Sequence, residues 1–338
     1  MRPNRTRTRL ATVSALTALG AFASLGTATA ADPVLNGEWA PFTRCPVDAR
    51  AMLAADGFER TPQCVVSTSA KGSIKLGDTV VTTGKTNLQI GVVQNADGTS
   101  TVVAPASGAL VAEPATVPGG LLGLMCPSDI LIITGLCESL ENSSLNKITA
   151  TMESVGAPYA FDQTAGVLTD TPIVALPVRI HLENPLLGSR CYIGTAAAPI
   201  VLRPENRAFP EFGMSFFKGD GTVDPAGEMS RINLTGATQN DRTFAVPAAS
   251  GCGLNIGLIN AAVNAKTGLP SPAGANSLTL ENTRTSLTGL NAPGTAAPTP
   301  ARSSRRTGTP RTADHPGTGT VRPPRRPALT TTTRFLHK

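Results

Sequence analysis

The sequence predicts a mainly β protein: an antiparallel sandwich or barrel-like domain with one or two short helices, stapled by disulfides. Three observations carry this. From Val174 to Leu182 the residues Val174, Leu176, Val178, Ile180 and Leu182 alternate with Ala175, Pro177, Arg179 and His181, and Glu183 follows. A period of two puts one face on a core and the other toward water. Short runs of strand-forming residues recur between glycine-rich turns, the spacing of sandwiches and barrels. Six cysteines, Cys45, Cys64, Cys126, Cys137, Cys191 and Cys252, all follow residue 30.

Taken in order, the chain opens with Arg2, Arg5, Arg7 and Arg9, an apolar run from Leu10 to Leu25, and Ala28-Thr29-Ala30. A basic start, a short apolar stretch and an A-x-A site make residues 1–30 a secretory signal peptide, with cleavage expected between Ala30 and Ala31. The run is shorter than the ~20 residues a membrane span needs. The body, 31–291, has room for one large domain or two subdomains. Ala49 to Ala55 reads as a helical turn ended by Gly57. Cys64–Ser67, Ser73–Leu76, Thr79–Thr83, Thr86–Gln94 and Thr99–Ala104 read as strands, and Asn95–Gly98 as a hairpin loop. Ser128 is a candidate cap for a helix facing inward with Ile130, Ile133, Cys137 and Leu140. Lys147–Val155 and the stretch at Gly166–Leu168 lead to the central strand, which Asn184-Pro185 stops, and Cys191–Ile193 is the next one. Gly219-Asp220-Gly221 is a turn. Arg231–Leu234, Thr243–Val246 and Ser277–Glu281 read as strands. Between the last two, Leu254–Lys266 reads as a helix with Leu254, Leu258, Ile259, Ala262 and Val263 on one face, ended by Gly268 and Pro270.

The tail, 292–338, is rich in Pro, Thr, Arg and Gly, with too little apolar content for a core, and is expected to be disordered. It reads either as a basic segment that adheres to anionic wall polymers or as a frame-shifted end. The net charge of +6 hides a division. Of the 29 Lys and Arg, four precede residue 31 and nine follow residue 298, leaving 16 between; of the 23 Asp and Glu, 22 lie there. The body is therefore about −6, and the tail, with one Asp, +8. With few aromatics as well, a nucleic-acid-binding body is not supported.

In an exported chain an even cysteine count reads as three disulfides, and six cysteines allow 15 pairings. The pairing taken first is Cys45–Cys64, Cys126–Cys137 and Cys191–Cys252. An unbroken helix would hold Cys126 and Cys137 too far apart to bridge, so either Gly135 breaks it or that pair is different. A metal site has little support without a C-x-x-C pair or histidines, and no cofactor is implied.

Candidate chemistry is sparse. Gly84-Lys85-Thr86 is like the end of a phosphate-binding loop, but lacks the first glycine at the required spacing. Arg179, His181 and Glu183 project from one face of the central strand, where such a trio can do acid–base work or hold a metal. A solvated sheet face is the plainer reading and the preferred one. His181 is the only histidine outside the tail, and no G-x-S-x-G elbow accompanies it. Trp39 and Phe209, Phe212, Phe216 and Phe217 are candidates for a ligand surface, with core the preferred assignment.

Several stretches resemble a group of uncharacterised secreted proteins of actinomycetes: Cys45-Pro-Val-Asp48, Gly72-Ser-Ile-Lys-Leu-Gly77, Thr83-Gly-Lys-Thr-Asn-Leu88, Leu176 through Pro185, Cys191-Tyr-Ile-Gly194 and Gly268-Leu-Pro-Ser-Pro272. The resemblance spans most of 40–275 and stops before the tail. It implies export and brings no activity, ligand or catalytic residue. The expectation is a secreted, non-enzymatic protein without a transmembrane segment after cleavage, with a binding, adhesion or cell-envelope role. Its expected partners are cell-wall polymers or another extracellular macromolecule. The alternatives are a secreted hydrolase using His181 with Glu183, and a carrier with an apolar cavity between its sheets.

Overall fold

The computed structural model describes residues 35–290, apart from 56, 58, 127–133, 136, 139–143 and 254–256. The expected signal peptide, the tail, the Ser128 cap with Ile130, Ile133 and Leu140, and Leu254 lie outside the described residues. What is described is mainly antiparallel β-sheet, as the sequence predicts, in two sheets.

The larger sheet runs in the order β12 (Glu205–Asn206), β14 (Met229–Asp241), β16 (Ser277–Gly289), β1 (Arg60–Ser69), β4 (Thr86–Asn95), β5 (Ser100–Val103). Off this path, β13 (Glu211–Phe217) pairs with β14, β2 (Lys71–Leu76) pairs with β16 and β3 (Thr79–Thr83), and β6 (Leu110–Ala112) pairs with β4. The smaller sheet runs β15 (Ala249–Ser250), β10 (Tyr192–Ile193), β9 (Leu176–Glu183), β8 (Thr149–Ser154), β7 (Ala115–Thr116), with β11 (Ile200–Leu202) on β9. Helices α1 (Arg50–Leu53), α2 (Gly120–Met125) and α3 (Leu258–Thr267) are short. Gly257 occupies the N-cap of α3 instead of its interior, and Gly268 ends it in the left-handed conformation at φ 67°.

The period of two in β9 has the expected result. Leu176, Val178, Ile180 and Leu182 are buried against Ile74, Leu76 and Val81 of the larger sheet, with α2 and α3 closing the same core through Leu121, Leu124 and Val263. A second core lies where the N-terminal segment packs on the larger sheet: Trp39, Phe42 and Met52 meet Cys64, Val66 and Phe217. Trp39 stands edge-on to Phe217 at 5.1 Å and donates from Nε1 to the Gly219 carbonyl at 3.0 Å. The turn there needs glycine: Gly221 has φ +88°, and a Cβ on it would lie 2.5 Å from the Asn36 carbonyl oxygen.

All six cysteines are bonded: Cys45–Cys64, Cys126–Cys137 and Cys191–Cys252, with Cα separations of 5.9, 6.0 and 4.1 Å. Cys126 is extended, at φ −123°, and closes α2, so no helix runs through from Leu121 to it and onward.

One expected strand is absent, and two run longer than expected. Thr243–Val246 is no strand; it makes one isolated bridge, Val246 to Ser271. Asp241 ends β14 by accepting from the Thr243 amide at 2.7 Å and the Thr243 hydroxyl at 2.8 Å, which turns the chain out of the sheet. Gly166–Leu168 belongs to a 3-10 turn, Thr164–Val167, held by Asp162. The strands expected at Arg231–Leu234 and Ser277–Glu281 each extend to 13 residues. Their added halves are polar because neighbouring strands bond side chain to side chain: Ser67 to Thr285 and Ser286 to Asn233, both at 2.8 Å.

Candidate functional site

The β9 trio comes first. Antiparallel pairing sets Arg179 opposite Glu153, His181 opposite Thr151 on one side and Tyr192 on the other, and Glu183 opposite Thr149. Glu153 Oε2 accepts from Arg179 Nε at 2.8 Å and pairs with Nη2 at 2.7 Å. His181 Nδ1 lies 3.4 Å from Glu153 Oε1 and 4.0 Å from Glu183 Oε1. Tyr192 stacks on the imidazole at 4.5 Å, and the Arg179 guanidinium lies 4.0 Å over the same phenol ring.

This corrects the picture of a freely solvated face. The His181 side chain is 16% exposed, and its Nε2 is buried with no hydrogen-bond partner among the described residues. Nε2 is the nitrogen left for a substrate once Nδ1 faces two carboxylates. Arg179 and His181 are thus packed with Glu153 and Tyr192, while Glu183 stays exposed beside them. Among the described residues, no group of three His, Cys, Asp or Glu is placed to hold a metal ion. Gly84-Lys85-Thr86 leads into strand β4, and the Lys85 amide donates to Glu113 Oε2 at 3.2 Å. That is a strand approach, where a phosphate loop leads into a helix.

The aromatic residues divide. Trp39, Phe42 and Phe217 are core, whereas Phe209, Phe212 and Phe216 are exposed, together with Met214. The core assignment therefore fails for three of the four phenylalanines between 209 and 217. Phe212, Met214 and Phe216 alternate along β13, so they stand on one face of it. That strand lies at the side of the larger sheet, and its apolar face continues inward over β14, β16, β1 and β4. One row across the five strands is Met214, Ile232, Leu287, Val65, Ile90. The next is Phe212, Leu234, Thr285, Ser67, Leu88.

The segment between β8 and β9 roofs these rows. Phe161 packs near Ile90 and Val65, and Gln163, Thr164 and Val167 follow it. Between roof and rows lies a cleft of about 430 Å³, within the ordinary range for small-molecule sites. Part of its polar lining is already engaged. The Ser67 and Thr285 hydroxyls bond each other at 2.8 Å, and Gln239 donates to Asn206 Oδ1 at 3.1 Å. Asp162 Oδ1 accepts from the Thr164 amide at 2.8 Å and the Ala165 amide at 3.2 Å.

Sequence reasoning did not find this cleft. The usable signal was the alternation Phe212, Met214, Phe216 in a stretch with Gly219-Asp220-Gly221 just beyond. The other rows come from positions far apart in the chain, and only strand register joins them. Comparison of the chain with models of protein families, with curated proteins and with solved structures returns no match.

Proposed function

We propose that this is an exported, non-enzymatic binding protein, and that its binding site is the apolar cleft over the larger sheet. One observation carries the reading: a cleft of about 430 Å³ lined mostly by apolar side chains, in which the Ser67 and Thr285 hydroxyls bond each other and Gln239 bonds Asn206. Such a space binds by removing apolar surface from water, at about 25 cal/mol per Å². Export is supported by the basic-apolar start of the sequence and by three disulfides, which persist in oxidising compartments. No helix among the described residues is long and apolar enough to cross a membrane.

The hydrolase reading has less support, because His181 Nε2 is buried and the imidazole is stacked on Tyr192 beside the Arg179 guanidinium. Adhesion to wall polymers rests on the tail alone, since the body carries net negative charge. Sedimentation with purified cell wall should then require residues 292–338.

The test is direct. Full-length protein from culture medium should bind the neutral probe N-phenyl-1-naphthylamine with a rise in fluorescence. Leu287→Arg, which sets a guanidinium in the middle of the rows, should remove that binding while the circular-dichroism spectrum is kept. A wild-type protein that leaves the probe dark would end the proposal. A substrate turned over by wild type and not by His181→Ala would favour the hydrolase instead.

A further inference from the structure

We infer that the cleft takes one linear hydrocarbon chain lengthwise across the strands, with its terminal methyl beside Ile90 and its polar head in water beside Phe212. The inference rests on the cleft being the binding site, and adds which chemistry it takes and in which direction.

Burial changes steadily along the first row, while in the second Leu88, Ser67, Thr285 and Leu234 are all half-buried and only Phe212 is exposed. At the β4 end Ile90 is 1% exposed and Val65 on β1 is 5% exposed. Leu287 and Ile232 are half-buried. At the β13 end Met214 is 48% and Phe212 61% exposed. The space is therefore closed under Phe161 and open at the sheet margin. Five strands at the usual 4.7–4.9 Å spacing give it a length of roughly 19 Å, and two adjacent rows give it the width of a narrow trough. A long, thin apolar molecule matches that shape and a compact ring system does not.

The polar inventory points the same way. Asp162 is the only charged residue on the lining, and two backbone amides already bind its Oδ1. No cation lies on the lining to meet a carboxylate or phosphate head. A polar group carried inside would lose its water without a full set of replacement bonds, which is unfavourable. The head therefore stays outside, at the sheet margin where Phe212 and Met214 are exposed. The shared chemistry is an unbranched alkyl chain, whether it belongs to an alcohol, a fatty acid or a monoacylglycerol.

The experiment displaces N-phenyl-1-naphthylamine from the full-length protein with straight-chain 1-alkanols of increasing length. Affinity should tighten about fourfold per added methylene, the equivalent of about 0.8 kcal/mol, until the chain fills the trough, and then stay level. Phe212→Ala truncates an exposed side chain at the mouth. It should weaken alkanols of every length several-fold, because each keeps its hydroxyl in water beside that side chain. At one fixed length the alcohol, fatty acid and monoacylglycerol should bind alike. A marked preference for one head overturns the placement of the head in water. Displacement with no dependence on length, or a Phe212→Ala variant that binds every alkanol as the wild type does, overturns the lengthwise chain and leaves the cleft as a binding site. If neither the probe nor any alkanol binds, both this inference and the function proposed above fall.

Discussion

Glu38 and Arg231 meet across 193 positions of sequence, and few single contacts here do as much. Their side chains are 12% and 17% exposed, with Arg231 Nη2 2.9 Å from Glu38 Oε2. Glu38 Oε2 also accepts from the Ser215 hydroxyl at 2.7 Å, and Arg231 Nη1 donates to the Glu38 carbonyl at 2.9 Å. The pair holds the Trp39 segment against β13 and β14. Removing one member leaves the other charge buried without its partner, so Glu38→Ala should lower the unfolding free energy by about 3–5 kcal/mol, read by urea denaturation. A loss under 1 kcal/mol would mean that water already reaches the pair. The neighbouring loop shows the opposite case, where the charges lie nearer water. Hydrogen bonds from the Thr222 backbone and then its side chain hold the Asp220 carboxyl below its ordinary value of 3.8. The Ala226 amide, and after it Lys218, do the same for Asp224. A folded value below the unfolded one means that the contribution is present above 3.8 and fades as pH falls through the lower folded value. The Thr222 and Ala226 amide shifts should therefore titrate with midpoints below 3.8 in an NMR acid series. Midpoints at or above 3.8 would show those bonds absent in solution.

At the scale of elements, hydrophobic alternation made some strands legible and hid others. β9 announces itself because its buried partners, Leu176, Val178, Ile180 and Leu182, are all large and apolar. The second half of β16 does not, since Thr283, Thr285 and Ser286 satisfy each other's neighbours through hydroxyl bonds across the sheet. A central strand stabilised by cross-strand polar pairs reads as loop when only periodicity is examined. β13 is misleading in the other direction: its apolar side chains face outward, so a rule that places Phe in cores assigns Phe212 and Phe216 wrongly. The cleft was beyond reach for the same reason. Its floor is drawn from β1, β4, β13, β14 and β16, and nothing local fixes their register. The end of β14 gives a test of how such elements are bounded. Asp241 is almost wholly buried, and accepts from the Arg203 amide at 2.5 Å as well as from Thr243. Asp241→Ala strands two amides, and should cost about 2–6 kcal/mol at 1–3 kcal/mol for each unmet group that stays buried. Hydrogen exchange should then rise first at Arg203 and Thr243. Exchange that rises first elsewhere would assign the chain's exit from β14 to another cause.

For the molecule as a whole, the three cystines add covalent links between parts that hydrogen bonds also join. Cys45–Cys64 fastens the N-terminal segment to β1, closing 19 residues of sequence, and Cys126–Cys137 closes 11. Cys191–Cys252 spans 61, joining the start of β10 to the approach of α3 in the smaller sheet. In the chain-entropy picture a longer closed loop restricts the unfolded chain more, and the same formula gives about 3 kcal/mol for the shortest and about 4 for the longest. Cys191 and Cys252 are also both buried in the main core, so replacing them removes packing as well. The paired Cys191→Ser and Cys252→Ser variant should therefore melt lower than the paired Cys126→Ser and Cys137→Ser variant. At about 2–4 °C per kcal/mol for a chain of this size, the entropic difference alone is a few degrees, and lost packing widens it. The reverse order in calorimetry would place the mechanical weight on the α2 side, and remove the smaller sheet's bridge as the main clamp. Because the cleft is floored by the larger sheet, both variants should still bind the naphthylamine probe below their melting temperatures. Loss of the Cys45–Cys64 bridge, which acts on the opposite face of β1, should loosen that floor and weaken the probe.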